Sequence, residues 1–198
     1  MYVISLFGET KAYRGWEFTS KRFLYYCYTD AGNSFLLVCC SEIMKIVNAT
    51  SEIPGMTKEE VNKFLESKLN LQLATIDKQG WPNIHPVWFY YDKNEEKLLI
   101  TTSKFAKKTQ NLRDKPNVYF SIDDETSAPK GVKGRGTVMI IEDPSRTVTQ
   151  GDKISMKYLG TLNHPVAKMV TDGAKKGEVV LIEIRPKFFS TWDYSKVQ

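Results

Sequence analysis

A chain of 198 residues, 41% hydrophobic and 26% charged, is long enough for one domain with a real core. Its longest apolar runs, SFLLVCC and VVLIEI, fall far short of the roughly 20 residues that cross a bilayer as a helix. The net charge is +5 and the whole excess follows residue 55, which suits a small anionic ligand and equally a solvated surface, while acids dilute the dense basic stripe that nucleic acid demands.

No stretch has the basic start, apolar middle and small-residue cleavage site of a leader, so the reading is a soluble, cytoplasmic protein. The cysteines are Cys27, Cys39 and Cys40, with no C-x-x-C spacing and no clustered histidine. That pattern predicts neither a zinc site nor a disulfide framework.

Residues 1–43 are aromatic-rich and hold no sustained period of 2 or 3.6. They read as a peripheral segment, or as sequence upstream of a start at Met44 or Met56. The functional alternative is an added strand pair or a partner-binding arm. NATSEIPG follows, with the residues of a loop. Thr57 with Glu60 then makes a capping box, and Val61, Phe64, Leu65 and Leu69 form an apolar helical face. The expected division is an N-terminal extension over 1–55 and a domain over 56–198. A chain beginning at Met56 is expected to fold and bind alone.

From residue 71 the pattern is strand after strand: LQLATID, NIHPVWFYY, KLLITT, NVYFSID, GVKGRGTVMIIED, EVVLIEIRP and KFFSTWDY. Turn residues separate them, and a helical piece between Pro144 and Ala174 interrupts the series. Short connections favour antiparallel pairing. Many strands and few helices predict a mainly β, antiparallel barrel, closed or nearly closed. There is no β-α-β rhythm and no G-x-G-x-x-G, which argues against a Rossmann site.

TTSKFAKKTQNLRDKP, residues 101–116, leaves a strand, collects Thr101, Thr102, Ser103, Lys107 and Lys108, and turns helical before Pro116. A helix start offers free N–H groups and a positive dipole end; hydroxyls and ammonium groups beside it make a phosphate cradle. A Lys-Lys pair on a short helix is also the pattern of a solvated face.

LATIDKQGWPNIHPVWFYYD, LLITTSKFAKKTQNLRDKPNVYFSID and GVKGRGTV come in the order of three blocks of the pyridoxamine 5′-phosphate oxidase-like family. The chain resembles that family from about Met56 to Tyr194. The resemblance implies a split β-barrel of six to seven strands with a few short helices. It also implies a homodimer with FMN, or the deazaflavin coenzyme F420, between the barrels.

By the same likeness, Pro86, Val87 and Trp88 run past the ring. Thr101 and Thr102 meet phosphate and ribityl, and Lys107 and Lys108 bind the phosphate. Lys133 and Arg135 reach the cofactor from the partner subunit, where either cation favours the reduced ring. Trp192 closes the site. Two departures stand out. The tail TWDYSKVQ lacks the arginine and histidine that hold substrate phosphate in true pyridoxamine phosphate oxidases, and Ala106 replaces a serine common before the basic pair.

His85 on a strand reads as a hydrogen-bonded rim residue or a substrate contact, and His164 before Pro165 as a cap or surface residue. Asp123 and Asp124 point apart on a strand and make no acid–base pair. No Ser-His-Asp or Cys-His set is available for nucleophilic catalysis. Two classes follow: a redox enzyme acting on a small organic substrate, and a non-catalytic holder of a flavin, tetrapyrrole or other planar anion.

Overall fold

The computed structural model describes residues 23–28, 34–39, 44–126 and 128–197, in two units, Met1–Ile43 and Met44–Gln198. In the first unit, β1 (Phe23–Tyr28) pairs antiparallel with β2 (Ser34–Cys39), Phe23 opposite Cys39 and Tyr28 opposite Ser34.

The second unit starts with β3 (Lys45–Asn48), α1 (Lys58–Leu65), β4 (Leu71–Ile76), β5 (Pro82–Val87), β6 (Tyr90–Asp92) and β7 (Lys97–Ser103). It continues with α2 (Lys107–Asp114), β8 (Asn117–Asp124), β9 (Lys130–Ile141), α3 (Pro144–Leu159), α4 (Pro165–Lys175) and β10 (Val179–Asp193). A short 3-10 turn, Tyr194–Lys196, follows.

Seven strands pair antiparallel in the order β5-β4-β8-β9-β10-β7-β6, and β3 joins β10 in parallel as the eighth. The outermost strands, β5 and β6, are neighbours in the chain, with only Trp88 and Phe89 between them. The chain therefore links the two edges of the sheet directly, and among the described residues no hydrogen-bonded ladder closes them. This is a split barrel.

Alternation fills the interior. Leu71, Leu73 and Thr75 of β4, Ile122 of β8, Val132 of β9 and Phe189 of β10 are wholly buried. At one end α1 turns Val61, Phe64 and Leu65 inward. Its start is the expected capping box: Glu60 N–H donates to Thr57 Oγ1 at 3.3 Å and Thr57 N–H to Glu60 Oε2 at 2.7 Å.

The compact unit begins at Met44, not at Met56. β10 spends one edge on β7 over Val179–Ile184 and lends the continuation to β3 over Phe188–Thr191. Residues beyond β3 extend the seam: Ala49 N–H donates to Thr191 O at 2.8 Å and Asp193 N–H to Pro54 O at 2.9 Å. A four-residue strand with one partly buried side chain carries too little alternation to be read as a strand.

β9 and β10 lie so close that glycine is required in β9. A Cβ at Gly134 would fall 2.5 Å from Phe188 O and 2.8 Å from Phe120 Cζ. Gly134→Ala is expected to lower stability by about 1–3 kcal/mol in urea unfolding, because one contact is backbone and cannot rotate away. An unchanged midpoint would mean that β9 has room to shift.

Candidate functional site

Beside the β5–β6 seam a cleft of about 190 Å³ opens between the barrel and the helical pair. The barrel supplies Val87 and Trp88 from the end of β5, Thr101 and Thr102 from β7, and Lys108 from the first turn of α2. The helices supply Ile154 and Ser155 of α3 and Val166 and Val170 of α4. One side is thus cationic and hydroxylic, the other mostly apolar.

The helical pair is fixed by its caps and by one buried charge. Asp143 accepts the Arg146 N–H at 2.9 Å with Pro144 behind it, and His164 Nδ1 accepts the Val166 N–H at 3.2 Å with Pro165 behind it. The His164 bond is the capping role its position suggests. Glu183 of β10 is buried and takes Arg146 of α3 at 2.5 Å and Lys97 of β7 at 3.3 Å. Gly151 lets α3 approach: a Cβ there would meet Val170 at 3.1 Å and Thr101 at 3.6 Å.

Lys108 is the electrostatic centre of the cleft. Burial pushes its pKa down. Its Nζ lies 3.4 Å from Thr102 Oγ1, and among the described residues no carboxylate forms an ion pair with it. A half-buried ammonium without a counter-charge is costly unless an anion completes it. The helix beneath adds to the field. Ala106 caps α2 without a side-chain bond, so first-turn N–H groups stay free. Thr109 Oγ1 donates to Ser103 O at 2.8 Å and pins the turn.

Behind Lys108 lies a small polar network. Asn111 Nδ2 donates to Thr75 Oγ1 at 2.9 Å, and Thr75 Oγ1 meets His85 Nε2 at 3.2 Å. Burial, and then the Lys108 charge, lower the His85 pKa and favour the neutral ring. His85 is accordingly a hydrogen-bonded residue of the rim.

The cleft gathers Val87, Trp88, Thr101, Thr102 and Lys108 from the residues nominated in the sequence. The others lie outside it. Pro86 is exposed one residue before the lining. Lys107 is exposed; its charge is the smallest influence on Asp77, whose carboxyl is held low chiefly by the Trp81 N–H. Lys133 and Arg135 are exposed on the outer face of β9, with the Arg135 guanidinium 5.5 Å from the Phe188 ring centre. Trp192 lies across Gly131, where a Cβ would fall 2.2 Å from its ring.

The helical lining was not foreseen. Val166 and Val170 are spaced i, i+4 and carry the periodic signal, but nothing in the sequence says that this face meets a cleft and not the barrel core. Tyr158, too, was missed: it stacks on Trp88. Beside it, burial lowers the Lys157 pKa to about 8.

The molecule is a split-barrel protein with a cleft, cationic and hydroxylic on one side, between the barrel and its own helices. The chain belongs to the pyridoxamine 5′-phosphate oxidase family, whose pattern residues 57–193 match. Among solved structures it is similar to protein Rv2991 from Mycobacterium tuberculosis, at 24% identity and a TM-score of 0.62 over 73% of this chain and 89% of that one. It is also similar to an F420 reductase, at 31% identity and a TM-score of 0.54 over 65% of this chain and 94% of that one. Heme oxygenase HutZ of Vibrio cholerae serotype O1 is 35% identical over 77 residues, 38% of this chain and 43% of that relative. The match with HutZ thus spans less than half of that protein's length.

Proposed function

We propose that the cleft holds a flavin-type cofactor, FMN or the deazaflavin F420, and that the protein is an oxidoreductase acting on a small organic molecule. The observation that carries this reading is Lys108: half-buried, without an acidic partner among the described residues, in the first turn of α2, whose N–H groups have no side-chain cap. Those groups fit a phosphate. Thr101 and Thr102 add hydroxyls at the same end. Val87, Ile154, Val166 and Val170 keep water from the ring and strengthen every charge contact in the cleft.

When bound, the cofactor supplies the hydride chemistry, so the chain itself needs only to bind, orient and tune it. The likeness to an F420 reductase favours the deazaflavin form of the same reading. The likeness to HutZ raises a second candidate, haem. The donor set speaks against it: among the described residues, no His, Cys, Met or Tyr lines the cleft to take an axial position on iron.

The proposal includes a homodimer. Cross-strand register places Ile84, Ala74, Tyr119, Arg135 and Phe188 in one row across β5, β4, β8, β9 and β10. Ile84 is 69% and Tyr119 56% exposed, so the row is an outer face, apolar but for Arg135, that a second copy would cover. In that arrangement Lys133 and Arg135 serve the partner's cleft.

Complementation tests the shared cleft. Lys108→Ala and Arg135→Ala chains, each first shown to bind poorly and to exchange subunits, are mixed. Heterodimers are expected to recover one intact site of two. No recovery would leave each barrel to hold its ligand alone. Turnover with NAD(P)H or reduced F420 separates enzyme from carrier: stoichiometric loading without turnover in any pairing would favour the carrier.

A further inference from the structure

Trp88 and Tyr158 lie parallel, with ring centres 4.8 Å apart and planes 5° from one another. Trp88 occupies the seam between β5 and β6, is 37% exposed, and borders the cleft. An indole at a strand end ordinarily has several rotamers open to it. Here the last turn of α3 removes that freedom.

Tyr158 is itself anchored twice. Its hydroxyl donates to Leu69 O at 2.7 Å and accepts the Phe89 N–H at 3.3 Å. Lys157 grips the other seam residue: its Nζ donates to Leu65 O at 2.9 Å and sits 3.6 Å from the Phe89 ring centre. One helical turn therefore holds both residues at which the barrel is split. The tyrosine ring orients the indole, and the hydroxyl orients the tyrosine.

We propose that Tyr158 is a positioning residue that fixes Trp88 as a stacking surface for a planar conjugated ring whose anionic tail reaches Lys108. The proposal rests on the flavin-type reading above and adds which side chains select the ring. Aromatic pairing is geometrically specific, so a preset indole binds a flat ring without first losing rotamer freedom.

Riboflavin and FMN, which share a ring and differ in the phosphate, are the probes. Trp88→Leu is expected to weaken both by the same factor, roughly threefold to tenfold. Lys108→Ala is expected to weaken FMN alone. Trp88→Phe restores most of the lost affinity. Tyr158→Leu, with Trp88 intact, reproduces the loss for both ligands. Quenching of bound-flavin fluorescence is the signature that a purely structural role would not move: it weakens in Trp88→Leu and also in Trp88→Phe, because a phenyl ring stacks but cannot donate an electron to the excited flavin as the indole does.

If Trp88→Leu binds both probes with wild-type affinity and quenching, the stacking proposal fails and the cofactor reading stands. If Trp88→Leu does not fold, Tyr158→Phe carries the test, with wild-type affinity and quenching overturning the role of the hydroxyl. A wild-type chain that binds neither flavin nor F420 overturns both readings together.

Discussion

Replacing Lys108 with alanine is expected to weaken FMN binding by about tenfold to a hundredfold, while Lys107→Ala changes it by less than about twofold. The two lysines are adjacent, so sequence treats them as a pair. The helix separates them: Lys108 borders the cleft beside Thr102, and Lys107 is exposed outside it. A hydrogen bond to a charged group contributes roughly 1.5–3 kcal/mol, which sets the size of the first effect. An exposed lysine is screened by water and salt, which limits the second. Fluorescence titration of the single variants measures both. Equal losses would place the phosphate between the two ammonium groups, outside the cleft.

The second large effect concerns the start of the domain. A chain beginning at Met44 is expected to unfold at the full chain's midpoint for this domain. One beginning at Met56 is expected to lose about 3 kcal/mol, from the buried Met44, the half-buried Ile46 and the seam on β10. For a domain of this size that lowers the melting temperature by about 6–12 °C. The cut also strips a hydrogen bond from the turn that follows β10: Gly55 O no longer accepts from Lys196 Nζ, which it does at 2.9 Å. The bare edge of β10 then becomes a template for aggregation. Equal midpoints for the two chains would show that β3 is an ornament and the capping box the true boundary.

Much of the barrel was legible because its strands are periodic. LQLATI alternates buried and half-buried residues as a sheet face must. Thr57 and Glu60 announced α1 through their spacing alone. β3 was not legible: it is four residues long and parallel to a strand far away in sequence, so no local signal specifies it. The site divided in the same way. Thr101, Thr102 and Lys108 lie near one another in the chain and came together as expected. Val166 and Val170 reach the cleft, and Tyr158 reaches Trp88, only through the packing of α3 and α4, anchored by Glu183, and no spacing within the sequence encodes that contact. Lys133, Arg135 and Trp192 were nominated by resemblance. The first two sit on the outer face of β9, and Trp192 packs across Gly131, so a role in one chain's cleft requires a second chain.

The central claim is that this cleft holds a flat redox ring by its phosphate end. Equilibrium titration of the purified protein with FMN, F420 and haemin side by side tests it most directly. Saturation by FMN or F420 at one equivalent per chain is expected, weakened by Lys108→Ala, with no comparable haemin site. Saturation by haemin alone, or FMN and F420 affinities that ignore Lys108, would contradict it.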